Sequence, residues 1–202
     1  MRIIVIVGCC AALLLSACGG SSKTQVSPTS STGAGGSTTT TAELSTTSLP
    51  CQPIPVPTTP VKSPVTSTSS SLLTHVEELG DHCVDHVIFD FRAKGSDPPG
   101  YTLTYGTPPF TADGSGTTIP VAGNAFIVVK VQPGYSFDFE TNKATYTGPK
   151  SVPVANTNHV QSIVETGDFE GVLTWVIGLD SKRPFSVQAT GTPNHQLVVT
   201  VS

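Results

Sequence analysis

Val87-Ile88-Phe89-Asp90-Phe91-Arg92 decides the fold class of this chain. Val87, Phe89 and Phe91 fall on one side and Asp90 and Arg92 on the other, a period of two residues that belongs to a half-buried strand rather than a helix. Tyr101-Thr102-Leu103-Thr104-Tyr105 alternates in the same way. Ala125 to Val131 is a β-branched run of the kind found in a central strand covered on both faces. His159 to Val164, Val172 to Leu179, Pro184 to Gln188 and Gln196 to Val201 extend the series. The turn signals Asp97-Pro98-Pro99-Gly100, Asp113-Gly114-Ser115-Gly116, Pro133-Gly134 and Thr192-Pro193-Asn194 separate these runs. Many short strands punctuated by Gly and Pro predict an all-β sandwich or barrel. Only Ser71 to Leu79 stays open, since Leu72, Val76 and Leu79 fit a helix while Thr74, Val76 and Glu78 fit an edge strand.

Working outward from that body, composition changes sharply near Leu72. All eight Phe, all four Tyr and the one Trp follow it. From Gly19 to about Ser71 the chain is nearly all Ser, Thr, Pro, Gly, Ala and Val, with Lys23, Glu43 and Lys62 as its charges. Such a stretch buries too little apolar surface to offset its conformational entropy, so residues 18–71 are predicted to be a disordered tether. As a random coil it would reach roughly 40 Å, and more where proline stiffens it. Its Ser/Thr/Pro content also suits O-glycosylation. Residues 72–202 are enough for one self-sufficient core. They carry seven Lys/Arg against thirteen Asp/Glu, a net of −6. That balance argues against nucleic acid as a partner and against a polybasic grip on anionic lipid.

At the other end, Arg2 precedes the apolar run Ile3 to Leu15, which is too short to span a bilayer and has the layout of an export signal. Leu15-Ser16-Ala17-Cys18 resembles a bacterial lipobox. The resemblance implies a signal peptide over residues 1–17, cleavage before Cys18 and a lipid-modified (palmitate-type) Cys18 anchoring the protein on the extracytoplasmic face of the cell membrane. Two or more chains make such an anchor stable. Cys9 and Cys10 would leave with the signal. Cys51 and Cys83 then remain as an even pair in a compartment that can be oxidising, and a Cys51–Cys83 disulfide is the expectation.

Chemistry-bearing patterns are sparse. Asp81, His82, Cys83, Asp85 and His86 form the one dense group of metal-type ligands, but neighbours on an extended chain point to opposite faces and no second ligand pair follows. A polar loop is expected there, with no metal and no cofactor. Asp113-Gly114-Ser115-Gly116 is not a nucleophile elbow and reads as a hairpin turn. His159 and His195 each begin a strand-like run without a visible serine and carboxylate. Asp168 and Glu170, two apart, show no acid/base asymmetry. No catalytic residue is assigned. Gly167-Asp168-Phe169-Glu170-Gly171 is either a tight turn with Phe169 capping the core or a recognition surface made of Asp168, Phe169 and Glu170. Trp175 alternates with Leu173, Ile177 and Leu179 and is expected in the core, whereas Tyr101, Tyr105 and Tyr146 are freer to be surface aromatics.

Asp85-His86-Val87-Ile88-Phe89-Asp90-Phe91, Pro99-Gly100-Tyr101, Pro120 to Phe126, Tyr146-Thr147-Gly148-Pro149, Gly167 to Asp180 and Arg183-Pro184-Phe185 together resemble the AMIN-like domain of actinobacterial lipoproteins. The family commonly has Asp-Arg where this chain has Asp85-His86. By its relation to the AMIN domain of cell-wall amidases, the resemblance implies a compact β-sandwich and a non-catalytic module facing the cell wall, with peptidoglycan or another envelope protein as partner. Two other functions stay open: a small-molecule or lipid carrier with a pocket between its two sheets, and, as the third, a cell-wall hydrolase. A carrier requires an apolar cavity, and a hydrolase requires converging acid and base groups in a cleft.

Overall fold

The computed structural model describes residues 51–52, 54–57, 59–64 and 66–202. The expected signal peptide, Cys18 and the tether up to residue 50 lie outside the described residues. Among those described there is no helix, and hence none long and apolar enough to cross a membrane.

Strands follow one another as β1 (Val61–Lys62), β2 (Ser71–Gly80), β3 (Asp85–Arg92), β4 (Tyr101–Gly106), β5 (Phe110–Thr111), β6 (Thr118–Ile119), β7 (Ala125–Val131) and β8 (Gly134–Tyr135). They continue with β9 (Phe137–Asp138), β10 (Lys143–Ala144), β11 (Ser151–Val152), β12 (Val160–Phe169), β13 (Val172–Leu179), β14 (Phe185–Thr190) and β15 (His195–Val201). One sheet has six strands in the order β1-β4-β7-β13-β12-β11, and the other five in the order β14-β15-β3-β2-β8. Neighbours pair antiparallel except β2 with β8. The ambiguous Ser71 to Leu79 segment is therefore strand. It pairs along its length with β3, and a bulge between Leu73 and His75 shifts its register.

Alternation builds the core as the sequence predicts. Val87, Phe89 and Phe91 of β3 face Leu173, Trp175, Ile177 and Leu179 of β13, and all seven are buried. Phe89 meets Trp175 edge to face at 5.8 Å, an aromatic contact that ties one sheet to the other. Tyr146 packs on the same indole at 5.7 Å and is buried, which corrects the expectation that it lies on the surface. Its phenol still finds an acceptor, the Pro149 carbonyl at 2.8 Å. β7 is buried on its inner face but covered on the other only near its start, less than its composition predicts, since Val128 is half-buried and Lys130 exposed. Ile127 and Val129 point into the core, while Phe126 points the other way and is met by Phe110 at 5.1 Å, from the β5–β6 hairpin folded over that face.

The domain begins earlier than composition indicates. Val61 and Lys62 pair with Leu103 and Thr102 as an edge strand, and Ser63 N–H donates to the Tyr101 carbonyl at 3.0 Å. Ser67 and Ser71 are buried, and Ser71 N–H reaches the Pro133 carbonyl at 2.9 Å. The Cys51 and Cys83 sulfurs are bonded, with their Cα atoms 5.4 Å apart. Over the described residues between 51 and 71, then, the chain is a strap on the body, not a free leash. Backbone pairing holds it, and backbone pairing asks little of side-chain type.

Candidate recognition site

The Gly167–Gly171 segment is a hairpin tip. Phe169 and Val172 pair across a two-residue loop, Glu170-Gly171, whose φ angles of 50° and 76° are both left-handed, as a loop of the I′ kind requires. Gly171 suits this position, and a Cβ there would also come within 2.7 Å of the Tyr135 hydroxyl. Glu170 does not suit it, because at positive φ its Cβ crowds the neighbouring carbonyl oxygen, which costs about 1 kcal/mol. Glu170→Asn is accordingly expected to raise stability by roughly that amount, read as an increase in denaturation midpoint at unchanged slope.

The tight loop also fixes which way Phe169 points. Register turns it outward, 54 % exposed, so it does not cap the core. Its neighbours there come from a segment about thirty residues upstream. Gly134 N–H donates to the Gly171 carbonyl at 2.9 Å, and the Asp168 carboxylate accepts from Ser136 N–H at 3.0 Å and from the Ser136 hydroxyl. These bonds hold Tyr135, Phe137 and Phe139 beside the tip. Phe139 meets Tyr135 at 5.4 Å and Phe137 at 5.2 Å, edge to face in both cases. Phe139 is 71 % exposed, and it and Phe169 are the two exposed large aromatics of the molecule's described surface. Together with Asp168, Glu170 and Gly171 these four rings line a hollow of about 570 Å³.

A second trough of about 680 Å³ continues from it, sharing Tyr135 and Phe139 and running past Ser69, Ser70, Arg92 and Lys94. Its rim is braced by charge. Arg92 donates to Asp138 at 2.9 Å, and Lys94 pairs with Glu140. Asp138 also accepts from the Glu140 and Thr141 backbone N–H groups, at 3.0 and 3.3 Å. Burial pushes the Asp138 pKa up, but the Thr141 and Glu140 hydrogen bonds and the Arg92 charge outweigh it and leave the carboxyl below its ordinary range. Sequence reasoning found the Asp168–Glu170 half of this corner and missed Tyr135, Phe137 and Phe139. The signal was present in Tyr135-Ser136-Phe137-Asp138-Phe139-Glu140, where aromatics recur every second residue.

Elsewhere the structure disperses the groups that the sequence sets side by side. Asp81 caps a turn through the Cys83 and Val84 N–H groups, at 2.8 and 3.3 Å. His86 Nδ1 shares a hydrogen bond with Thr200 at 2.9 Å. Asp85 is fully buried and accepts backbone N–H groups of Asn158, His159 and Val160. His82 stays beside the Cys51 and Cys83 sulfurs, which are bonded to each other and offer no thiolate. His159 Nδ1 lies 3.8 Å from Asp180, but that carboxylate is forked by Arg183 at 3.0 and 2.7 Å. The Arg183 hydrogen bonds hold the Asp180 pKa at about 2. Ser181 Oγ donates to Asp180 rather than facing the imidazole, so no nucleophile–base pair forms here.

The space between the sheets, where a carrier would hold its ligand, is filled by Trp175, Phe89, Leu73, Leu103 and their neighbours, all fully buried. A groove of about 870 Å³ opens instead on the outside of the six-stranded sheet, between Phe126 and Val164 and the prolines 108, 109 and 120.

A family model for the AMIN-like domain matches residues 71–202. No curated protein matches the chain, and no solved structure does.

Proposed function

The chain belongs to the AMIN-like domain family, and on that premise we propose that it is a lipid-anchored envelope protein whose sandwich binds the cell wall without catalysis. Family membership supports an extracytoplasmic, wall-associated β module. The observation that carries the binding role is the pairing of Phe139 and Phe169 at one hollow. Soluble domains seldom leave large aromatics on the surface together unless something covers them, and here both sit on backbone-stapled strands rather than on a loose loop. The trough alongside, with its hydroxyls and paired charges, gives the face the length to take a polymer. In this reading Asp168, Phe169 and Glu170 are one half of the contact surface, and Tyr135, Phe137 and Phe139 the other. Cys18 holds the domain at the membrane by its lipid, and the chain between Cys18 and Cys51 sets how far from the membrane it works.

The test is sedimentation with insoluble cell wall, using the full chain purified from membranes in nonionic detergent. The chain is expected to pellet saturably, and Phe139→Ala with Phe169→Ala should weaken pelleting at least tenfold while the melting temperature stays within about 2 °C, since both rings are exposed. A chain that stays in the supernatant at every wall concentration overturns the wall-binding reading.

A further inference from the structure

We propose that the aromatic corner is a binding site for an organic ammonium group, a primary or quaternary amine carried by an envelope molecule. The inference rests on the corner being the recognition face and names the chemistry it takes. Of the seven residues lining the hollow, four are aromatic, two are acidic and the last is a glycine. No lining residue carries positive charge. The two cations that line the adjoining trough are paired, Arg92 with Asp138 and Lys94 with Glu140. Asp168 spends one oxygen on Ser136 and leaves the other open, and Glu170 pairs with no cation among the described residues. The lining of the hollow is therefore net acidic.

Ring geometry separates an ammonium from a sugar. A pyranose is recognised by lying flat on an aromatic face. Here the planes are steeply inclined, Phe139 at 85° to Tyr135 and 64° to Phe137, so the rings turn about a hollow instead of forming a slab. A concave aromatic corner suits a compact convex cation, whose charge is drawn by the ring quadrupoles and whose methylene or methyl groups fill the apolar space. Carboxylates at the rim add the long-range attraction. Glu170 gains meaning in this light: a strained turn position that would favour Asn or Gly carries an acid that lines the hollow. A single exposed site of this kind gives a dissociation constant on the order of 1 mM, which repetition along a polymer would multiply into useful avidity.

The experiment is a titration of the full chain in nonionic detergent, followed by ring resonances of Tyr135, Phe137, Phe139 and Phe169. Choline and Nα-acetyl-lysine amide are the cationic probes; 3,3-dimethylbutan-1-ol and Nα,Nε-diacetyl-lysine amide are their neutral counterparts. Saturable shifts confined to the four rings are expected with the cations, at least tenfold weaker with the neutral probes. Glu170→Gln should weaken the cations about threefold to tenfold and leave the neutral probes unchanged. Tighter binding of choline assigns a quaternary headgroup as the source, and tighter binding of the lysine derivative a peptide amine; either order supports the site. Equal response to charged and neutral probes, or no saturable shift, overturns it. Wall pelleting that persists without an ammonium response sinks this inference alone, whereas an ammonium response without pelleting sinks the wall reading alone.

Discussion

Asp85→Asn is expected to destabilise the domain by at least about 3 kcal/mol, although it changes a single carboxylate oxygen into an amide. Asp85 opens β3 and has no solvent exposure. Its Oδ2 accepts from His159 N–H at 2.6 Å and Val160 N–H at 2.8 Å, and its Oδ1 from Asn158 N–H at 2.8 Å and the Asn158 side-chain amide at 3.1 Å. Every contact to this carboxylate is a donor. An asparagine can satisfy one side with its oxygen, but its NH₂ must then face N–H groups on the other, buried and without water. The loss is also topological, because Asp85 belongs to the five-stranded sheet while Val160 starts β12 of the six-stranded one. The bond cluster fastens the start of β3 in one sheet to the start of β12 in the other.

The pH dependence follows. Burial alone would raise the Asp85 pKa, but the Asn158, Val160 and His159 hydrogen bonds overcome it, and the folded value lies below the ordinary 3.8. A depressed carboxylate contributes stability that is complete above its unfolded pKa and is lost as pH falls through its folded one. Wild-type stability should thus fall below about pH 4, and the gap between wild type and Asp85→Asn should narrow over the same range. Asp180 titrates in acid too, yet it is present in both chains and cancels in the difference. Urea denaturation at pH 7 and at pH 3 measures both claims; a variant within 1 kcal/mol of wild type at pH 7 would defeat the account.

Asp85 also shows where sequence reading stops. The two-residue alternation in Val87 to Arg92 and Leu173 to Leu179 states which side chains go inward, because a strand has only two faces, and the structure buries that set. Periodicity says nothing about a polar residue beside a loop. Asp85 stood among Asp81, His82, Cys83 and His86 as one more hydrophilic group, and its partners lie more than seventy residues away. The recognition corner divides in the same manner. Asp168 and Glu170 were visible as acids between glycines, but the outward face of Phe169 depends on a left-handed two-residue loop, and the nearness of Phe139 depends on the Ser136–Asp168 staple. Neither is written in local composition. Composition places the domain start beside that of the family model and misses the strand before it, because composition measures side-chain burial, whereas Val61 and Lys62 are held through their backbones.

Breaking the Cys51–Cys83 bond should have the second large effect, and its reach along the chain is the informative part. Closing a loop of sequence separation 32 is worth about 3–4 kcal/mol in the chain-entropy account. Besides the bond, the strap is held by the short β1 pairing, the Ser63–Tyr101 backbone bond and the buried Ser67. Ile54, Pro57 and Val61 are half-buried at best, and β1 contributes two residues of pairing. Released by Cys83→Ser, the strap is expected to open locally while the core stays folded. Hydrogen exchange at Ser63, whose N–H bonds the Tyr101 carbonyl, should then quicken about a hundredfold or more, with the signal of the buried Trp175 unchanged. Opening the strap bares the edge of β4, so the variant should also self-associate more readily than wild type. On the anchoring at Cys18 proposed above, the bond has a mechanical consequence. Tension arriving at Cys51 passes through the sulfurs to the β2–β3 turn and bypasses β1, so that the short edge strand is never the first thing pulled. An equal exchange rate at Ser63 in the oxidised and Cys83→Ser chains would show that the strap holds itself and that the disulfide serves some other end.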